Sequence, residues 1–136
     1  MANSVNGIYV LTSNGVEIGG PTASDGNWIL GGTGNAVQVV DSSNVLVQNN
    51  RMGTDQTGTQ DWGSGASTVS FNGTGSGSQV LDNIIAFGDR RGVALESGIT
   101  ATTISANSIY GNADLGIDLA VNGVTANDLG DADTGA

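Results

Sequence analysis

"VLDNII" (residues 80–85) and "ISANSI" (residues 104–109) carry one pattern twice. Each sets an apolar residue, an Asn three positions on, and an apolar residue two later: Val80, Asn83, Ile85 and Ile104, Asn107, Ile109. "VQNNRM" (47–52) repeats it with Val47, Asn50 and Met52. A looser copy separates Val16 and Ile18 from "NWI", with Asn27, Trp28 and Ile29. A short apolar alternation precedes each copy, and a fifth closes the series: Ile8 and Val10, Val37 and Val39, Val69 and Phe71, Val93 and Leu95, Ile117 and Leu119. The steps from Val69 to Val93 and from Val93 to Ile117 equal the step from Asn83 to Asn107. The steps from Ile8 to Val37 and from Val37 to Val69 are longer. Alternation with period two over so few residues marks short strands with one buried face. A period of about 24 residues, with about three strands per unit, predicts a solenoid.

In such a stack each coil lies about 4.8 Å above the last. Equivalent apolar residues pile into inward ladders. Asn50, Asn83 and Asn107 then fall at tight corners, where a side-chain amide satisfies backbone groups that the bend leaves unpaired. The first two units exceed the period of the later ones. The excess lies in "GGPTASDG" (19–26) and "GTDQTGTQDWGSG" (53–65), which are expected to leave the coils as side loops. With 23 Gly and one Pro, low-complexity disorder is the competing reading, but 38% hydrophobic content at regular spacing argues against it.

The 136 residues suffice for one small domain. Thirteen acids stand against three bases, Arg51, Arg90 and Arg91, giving a net charge of -10. No basic stripe exists to displace phosphate counterions, so nucleic acid is not an expected partner, nor is an anionic membrane surface. No apolar run reaches spanning length, so no membrane insertion is expected. The absence of Cys and His removes thiolate chemistry, His-dependent triads and structural zinc. A bound metal is then expected to be a hard cation with oxygen ligands, calcium first. "MANSVNGIYV" shows no basic segment followed by a long apolar stretch, so no signal peptide is read there.

Three stretches carry a resemblance: "NGVEIGG" (14–20), "NNRMGTDQTGT" (49–59) and "ANSIYGNADLGIDLAVNGVTANDLGDADTG" (106–135). Through them the chain resembles the right-handed parallel β-helix repeat proteins of the pectate-lyase-like solenoid superfamily. It is most similar to a bacterial group of extracellular and surface-type chains. The resemblance implies an all-β fold, a right-handed parallel β-helix of about five coils over residues 1–126. It also implies an extracellular or cell-surface location. Residues 127–136 then form an acidic termination segment or tail. "RMG" stands where the group usually has "YIG", which puts Met52 in one stacking position. The fold's polygalacturonase-like members rely on a Gly-His-Gly stretch, and this chain has no His. The lyase-like members use an Arg-Pro setting, and Pro21 is remote from every Arg. Fold alone transfers neither activity.

Several residues nonetheless carry chemistry. "FGDRRGVALE" (87–96) gathers Asp89, Arg90, Arg91 and Glu96. One reading is a lyase-like base acting on an acidic glycan. The other is a corner turn where Asp89 and Glu96 pair with the arginines. Trp62, amid Gly and Ser, either stacks on a sugar ring or folds back over the side of the solenoid. Trp28 is expected to pack beneath the first insertion. "TDQTGTQD" (54–61), with Asp55 and Asp61, reads as a solvated turn or an oxygen-rich calcium loop. The better calcium candidate is "NDLGDADTGA" (127–136). There Asp131 and Asp133 share D-x-D-x-G spacing, Asp128 and Asn127 add oxygens, and Asp118 joins if the tail folds back. A solvated acidic tail is the alternative. The leading functional expectation is a non-enzymatic structural, adhesive or self-assembling solenoid segment. The alternative is a polysaccharide-lyase-like, carbohydrate-active or carbohydrate-binding β-helix that meets acidic glycans through Trp62, Asp89, Arg90 and Arg91.

Overall fold

A computed structural model describes residues 5–124. Fifteen short strands follow one another without a helix among the described residues. The first coil holds β1 (Ile8–Leu11), β2 (Glu17–Gly19) and β3 (Trp28–Ile29). The second holds β4 (Val37–Val40), β5 (Leu46–Gln48) and β6 (Arg51–Met52). The third holds β7 (Val69–Asn72), β8 (Gly75–Ser76), β9 (Gln79–Leu81) and β10 (Ile84–Ala86). The fourth holds β11 (Val93–Leu95), β12 (Ile99–Thr100), β13 (Thr103–Ser105) and β14 (Ser108–Tyr110), and β15 (Ile117–Leu119) begins a fifth.

Equivalent strands pair in parallel across coils. Sheet 1 runs β1-β4-β7-β11-β15, sheet 2 runs β2-β5-β9-β13, and sheet 3 runs β3-β6-β10-β14. The register of sheet 1 aligns Ile8, Val37, Val69, Val93 and Ile117, the positions that mark the sequence period. Inward ladders follow. Ile18, Val47, Val80 and Ile104 stack on sheet 2, and Ile29, Met52, Ile85 and Ile109 on sheet 3. Middle members such as Val47, Met52, Phe71 and Ile85 are fully buried, because a coil covers them on both sides.

The solenoid departs from the expectation in two respects. Among the described residues it has four complete turns and one further strand rather than about five coils. The third and fourth coils each gain a strand, β8 and β12, which form a separate two-stranded sheet. The two insertions leave as side loops, at different corners: residues 20–27 lie between β2 and β3, and residues 53–68 between β6 and β7. Each begins at a glycine in the left-handed region, Gly19 (φ 95°) and Gly53 (φ 81°). A Cβ on Gly53 would meet the Ala86 carbonyl oxygen at 1.9 Å, and one on Gly19 the Gln48 carbonyl oxygen at 1.8 Å. Only glycine lets the chain turn outward this close to the neighbouring coil.

Candidate functional site

The tight corner between sheets 2 and 3 stacks four asparagines, Asn27, Asn50, Asn83 and Asn107. The Oδ1 of each later Asn accepts the backbone N–H of the Asn one coil before it, at 3.0, 2.9 and 2.9 Å. The Nδ2 groups of Asn50, Asn83 and Asn107 donate to the carbonyls of Ile18, Val47 and Val80 at 2.8, 2.9 and 2.7 Å. The residue before each, Asn49, Asp82 or Ala106, takes a left-handed φ near the bend (56°, 55° and 56°). This corner is a rigid spine whose amides are spent on the coils themselves, and its chemistry is structural.

The second insertion is ordered. Thr54 and Asp61 form an antiparallel bridge, and the buried Thr54 hydroxyl donates to the Gln60 carbonyl at 2.8 Å. Asp55 Oδ1 accepts from the Thr57 hydroxyl at 2.8 Å and from the Thr59 and Gln60 amides, both at 3.3 Å. Desolvation opposes ionisation of Asp55, but the bonds from Thr57, Gln60 and Thr59 outweigh it and hold its pKa below the ordinary value. Arg51 Nη1 reaches the Asp55 carbonyl at 3.1 Å, and the Tyr110 hydroxyl donates to the Gly58 carbonyl at 2.8 Å. The loop is thus pinned across the outer side of sheet 3. Asp61 accepts from the Gly63 amide at 3.0 Å, so both loop carboxylates are engaged within the hairpin.

Trp62 sits at the base of that hairpin and is 52% exposed. Its backbone N–H donates to the Gly53 carbonyl, and its backbone carbonyl accepts from the Gly31 amide. Trp28 is 58% exposed and does not lie packed under the first insertion. The reason is alternation: β3 sends Ile29 inward, so Trp28 faces out, beside Arg51 of the next coil.

"FGDRRGVALE" does not form one charged turn. β11 separates Arg91 from Glu96, so they stand at opposite ends of a strand. Arg91 Nε pairs with Asp118 Oδ2 at 2.5 Å, and Asp118 is only 1% exposed. Glu96 instead accepts from the Gly73 amide at 2.7 Å and from Asn72 Nδ2 at 2.9 Å. These two bonds lower its pKa against desolvation and the charge of Asp41. Asp89 and Arg90 are exposed. The expected pairing of Asp89 and Glu96 with the arginines is therefore corrected, and Asp118, expected in a calcium shell if the tail folds back, is paired with Arg91. Arg91 is not free to act as a base. Among the described residues no three acidic side chains converge on a metal position. Asn127, Asp128, Asp131 and Asp133 lie outside the described residues.

A feature missed in the sequence crosses the outer face of sheet 1. Asn6 Nδ2 donates to Gln38 Oε1 at 2.7 Å, Gln38 Nε2 to Asn72 Oδ1 at 3.3 Å, and Asn72 in turn to Glu96. The 24-residue step from Asn72 to Glu96 is the only trace of this belt in the chain. Its donors and acceptors are spent on one another.

The family model for the right handed beta helix region matches residues 1–128. The chain belongs to the right-handed β-helix family. Comparisons with curated proteins and with solved structures found no match. One cross-section of this β-helix exposes mainly apolar side chains. Where the fifth coil would continue, Leu95, Ile99, Ile104, Ile117 and Leu119 line one open depression. Ile117 is 42% and Leu119 46% exposed, although both occupy inward ladder positions. At the other end Ile8 and Val16 share a second depression with Glu17, Asp25 and Asn27, while Val10 and Ile18 are already buried.

Proposed function

We propose that this β-helix is a non-enzymatic structural segment of a bacterial extracellular or surface protein. It joins end to end with a second copy or with adjoining coils of the same kind. The observation that carries this reading is the apolar cross-section at Ile117 and Leu119, flanked by strand edges that have no partner among the described residues. Unpaired strand edges are templates for further strands, and head-to-tail addition through unlike ends gives open linear assemblies. The ladders supply matching chemistry, since Ile8 and Val10 occupy the same inward positions as Ile117 and Leu119. The net charge of -10 opposes close approach of copies, so salt should favour association. The sequence motifs support the bacterial extracellular setting.

Light scattering over a concentration and salt series tests the reading. Mass should rise with protein concentration and with salt, and Leu119→Lys should hold the protein monomeric with its circular dichroism unchanged. A monomer under all conditions overturns it. The proposal extends to calcium at Asp131 and Asp133, supported by their D-x-D-x-G spacing, with Asp128 as a further oxygen donor. Millimolar calcium should raise the melting temperature, and Asp131→Asn with Asp133→Asn should abolish the rise. A melting temperature indifferent to calcium removes the metal from the proposal.

A further inference from the structure

We infer that Trp28 and Trp62 form a stacking platform for a neutral polysaccharide on the outer side of sheet 3. The two tryptophans are the only ones in the chain, Trp28 opening β3 just after the first insertion and Trp62 lying within the second. Trp28 follows residues 20–27 directly, and Trp62 lies within residues 53–68. Both are more than half exposed, while the smaller Phe71 is completely buried. Packing alone favours the reverse, because an indole offers more apolar area to bury than a phenyl ring.

The backbone brings the two residues close together. The Ile29 carbonyl accepts from the Gly53 amide, the Gly53 carbonyl accepts from the Trp62 amide, and the Gly31 amide donates to the Trp62 carbonyl. Three residues of chain and one inter-strand step separate Trp28 from Trp62, which bounds their Cα separation at roughly 15 Å. That is within the span of a short oligosaccharide. The Asp55 hydrogen bonds, the Arg51 clamp and the Tyr110 clamp fix the hairpin that carries Trp62. A surface held in place before binding loses little freedom on binding.

The ligand class follows from the chemistry around the rings. An indole face covers the C–H face of a sugar while its N–H donates a hydrogen bond. On the same hairpin Gln60 is exposed, while the Thr57 and Thr59 hydroxyls bond each other and Thr57 also bonds Asp55. Arg51 is turned toward the Asp55 carbonyl, Asp55 and Asp61 flank the hairpin, and the protein carries a net charge of -10. An acidic glycan would be repelled, so the platform suits an uncharged one. End-to-end association uses the cross-sections and the platform uses the side, so neither depends on the other.

Native electrophoresis in gels holding hydroxyethyl cellulose, mannan or polygalacturonate tests it, alongside tryptophan fluorescence. With both reporters at the platform, emission should shift to the blue when a neutral polysaccharide binds. Trp28→Ala and Trp62→Ala should each weaken binding roughly tenfold, while Trp62→Tyr retains most of it. Migration unaffected by either neutral polysaccharide overturns the inference. So does retardation by polygalacturonate alone, or undiminished binding by the double Ala variant. A fall in light-scattering mass for Trp28→Ala without polysaccharide also overturns it, since the rings would then serve contact between copies.

Discussion

Asn83→Ala should be among the most damaging single changes in this chain. The Asn83 side chain is 1% exposed. Its Oδ1 accepts from Asn50 N at 2.9 Å and Asn50 Nδ2 at 3.1 Å. Its Nδ2 donates to Val47 O, Leu81 O and Asn107 Oδ1 at 2.9, 2.8 and 2.9 Å. Not all of these losses are equal. The Leu81 carbonyl keeps the Asn49 amide, and Asn50 Nδ2 keeps the Ile18 and Gln48 carbonyls. The Asn50 amide loses its partner, and Asn50 is 2% exposed, so water does not replace it. One orphaned buried donor costs about 1–3 kcal/mol, and the other lost bonds add about 1 kcal/mol net. The expected total is about 3 kcal/mol, or a melting temperature lower by roughly 10 °C in a chain this size. Asn107→Ala should cost about half as much, because Asn107 is half-buried and water reaches the gap. Asn83→Asp separates shape from hydrogen bonding. The introduced carboxylate would face the Val47 and Leu81 carbonyls, so its folded pKa lies above its unfolded one. Its stability relative to the parent is then retained at low pH and lost as pH rises through the folded pKa. Urea denaturation followed by circular dichroism measures all three. A cost below about 1 kcal/mol for Asn83→Ala, or equal costs at Asn83 and Asn107, would refute the assignment of the ladder as the spine.

Arg91→Ala leaves the Asp118 carboxylate, 1% exposed, with the Gly123 amide at 3.2 Å as its remaining partner. Removing one member of a buried pair costs about 3 kcal/mol or more, but β15 is the last of the described strands and pairs on one side only with β11, so its detachment caps the loss. Hydrogen exchange should therefore show lost protection in β15 and little change in β7, and uniform loss would count against it. Glu96→Gln should lower stability at neutral pH and flatten the acid limb. The depressed Glu96 pKa contributes stability above the ordinary value of 4.5 that disappears as pH falls through the folded pKa. An unchanged acid limb in thermal melts contradicts this. Ala106→Gly should stabilise by about 0.5–1 kcal/mol, since Ala106 is exposed with φ 56° and gains nothing from its Cβ there. A destabilised variant in the same melts would show that the left-handed bend is not strained.

The coils were legible because identical neighbours must stack. Val69 and Val93 align in sheet 1 because they stand one period apart, and Ile84 and Ser108 align in sheet 3 for the same reason. The pairing of Arg91 with Asp118 was not legible. It joins residues 27 apart, three more than the period, so no repeat argument brings them together. Local sequence pointed instead to Asp89 and Glu96, but the three residues of β11 carry Glu96 to the far end of the strand. The hairpin of the second insertion was hidden for a different reason. Its order comes from Arg51 and from Tyr110, a residue 52 positions beyond Gly58. Composition shows only the polar residues of a turn, whereas the clamps that hold it sit on the coils. Trp28 could have been placed from the sequence, since the inward position of Ile29 next to it obliges the indole to face out.

The side platform and the cross-section use different surfaces, and this has a measurable consequence. Four turns at about 4.8 Å each make the body roughly 20 Å tall. End-to-end association in register would then repeat Trp28 and Trp62 along one side at about that interval. A polysaccharide longer than this would meet several pairs at once, and each further contact would be intramolecular, which multiplies avidity without any new interaction. Leu119→Lys should therefore weaken retention on a long neutral polysaccharide while leaving the fluorescence titration with a short oligosaccharide unchanged. Trp62→Ala should weaken both and leave light-scattering mass unchanged. Equal loss on long and short ligands for Leu119→Lys would mean that the end reaches the platform directly, and the separation of the two surfaces would fall.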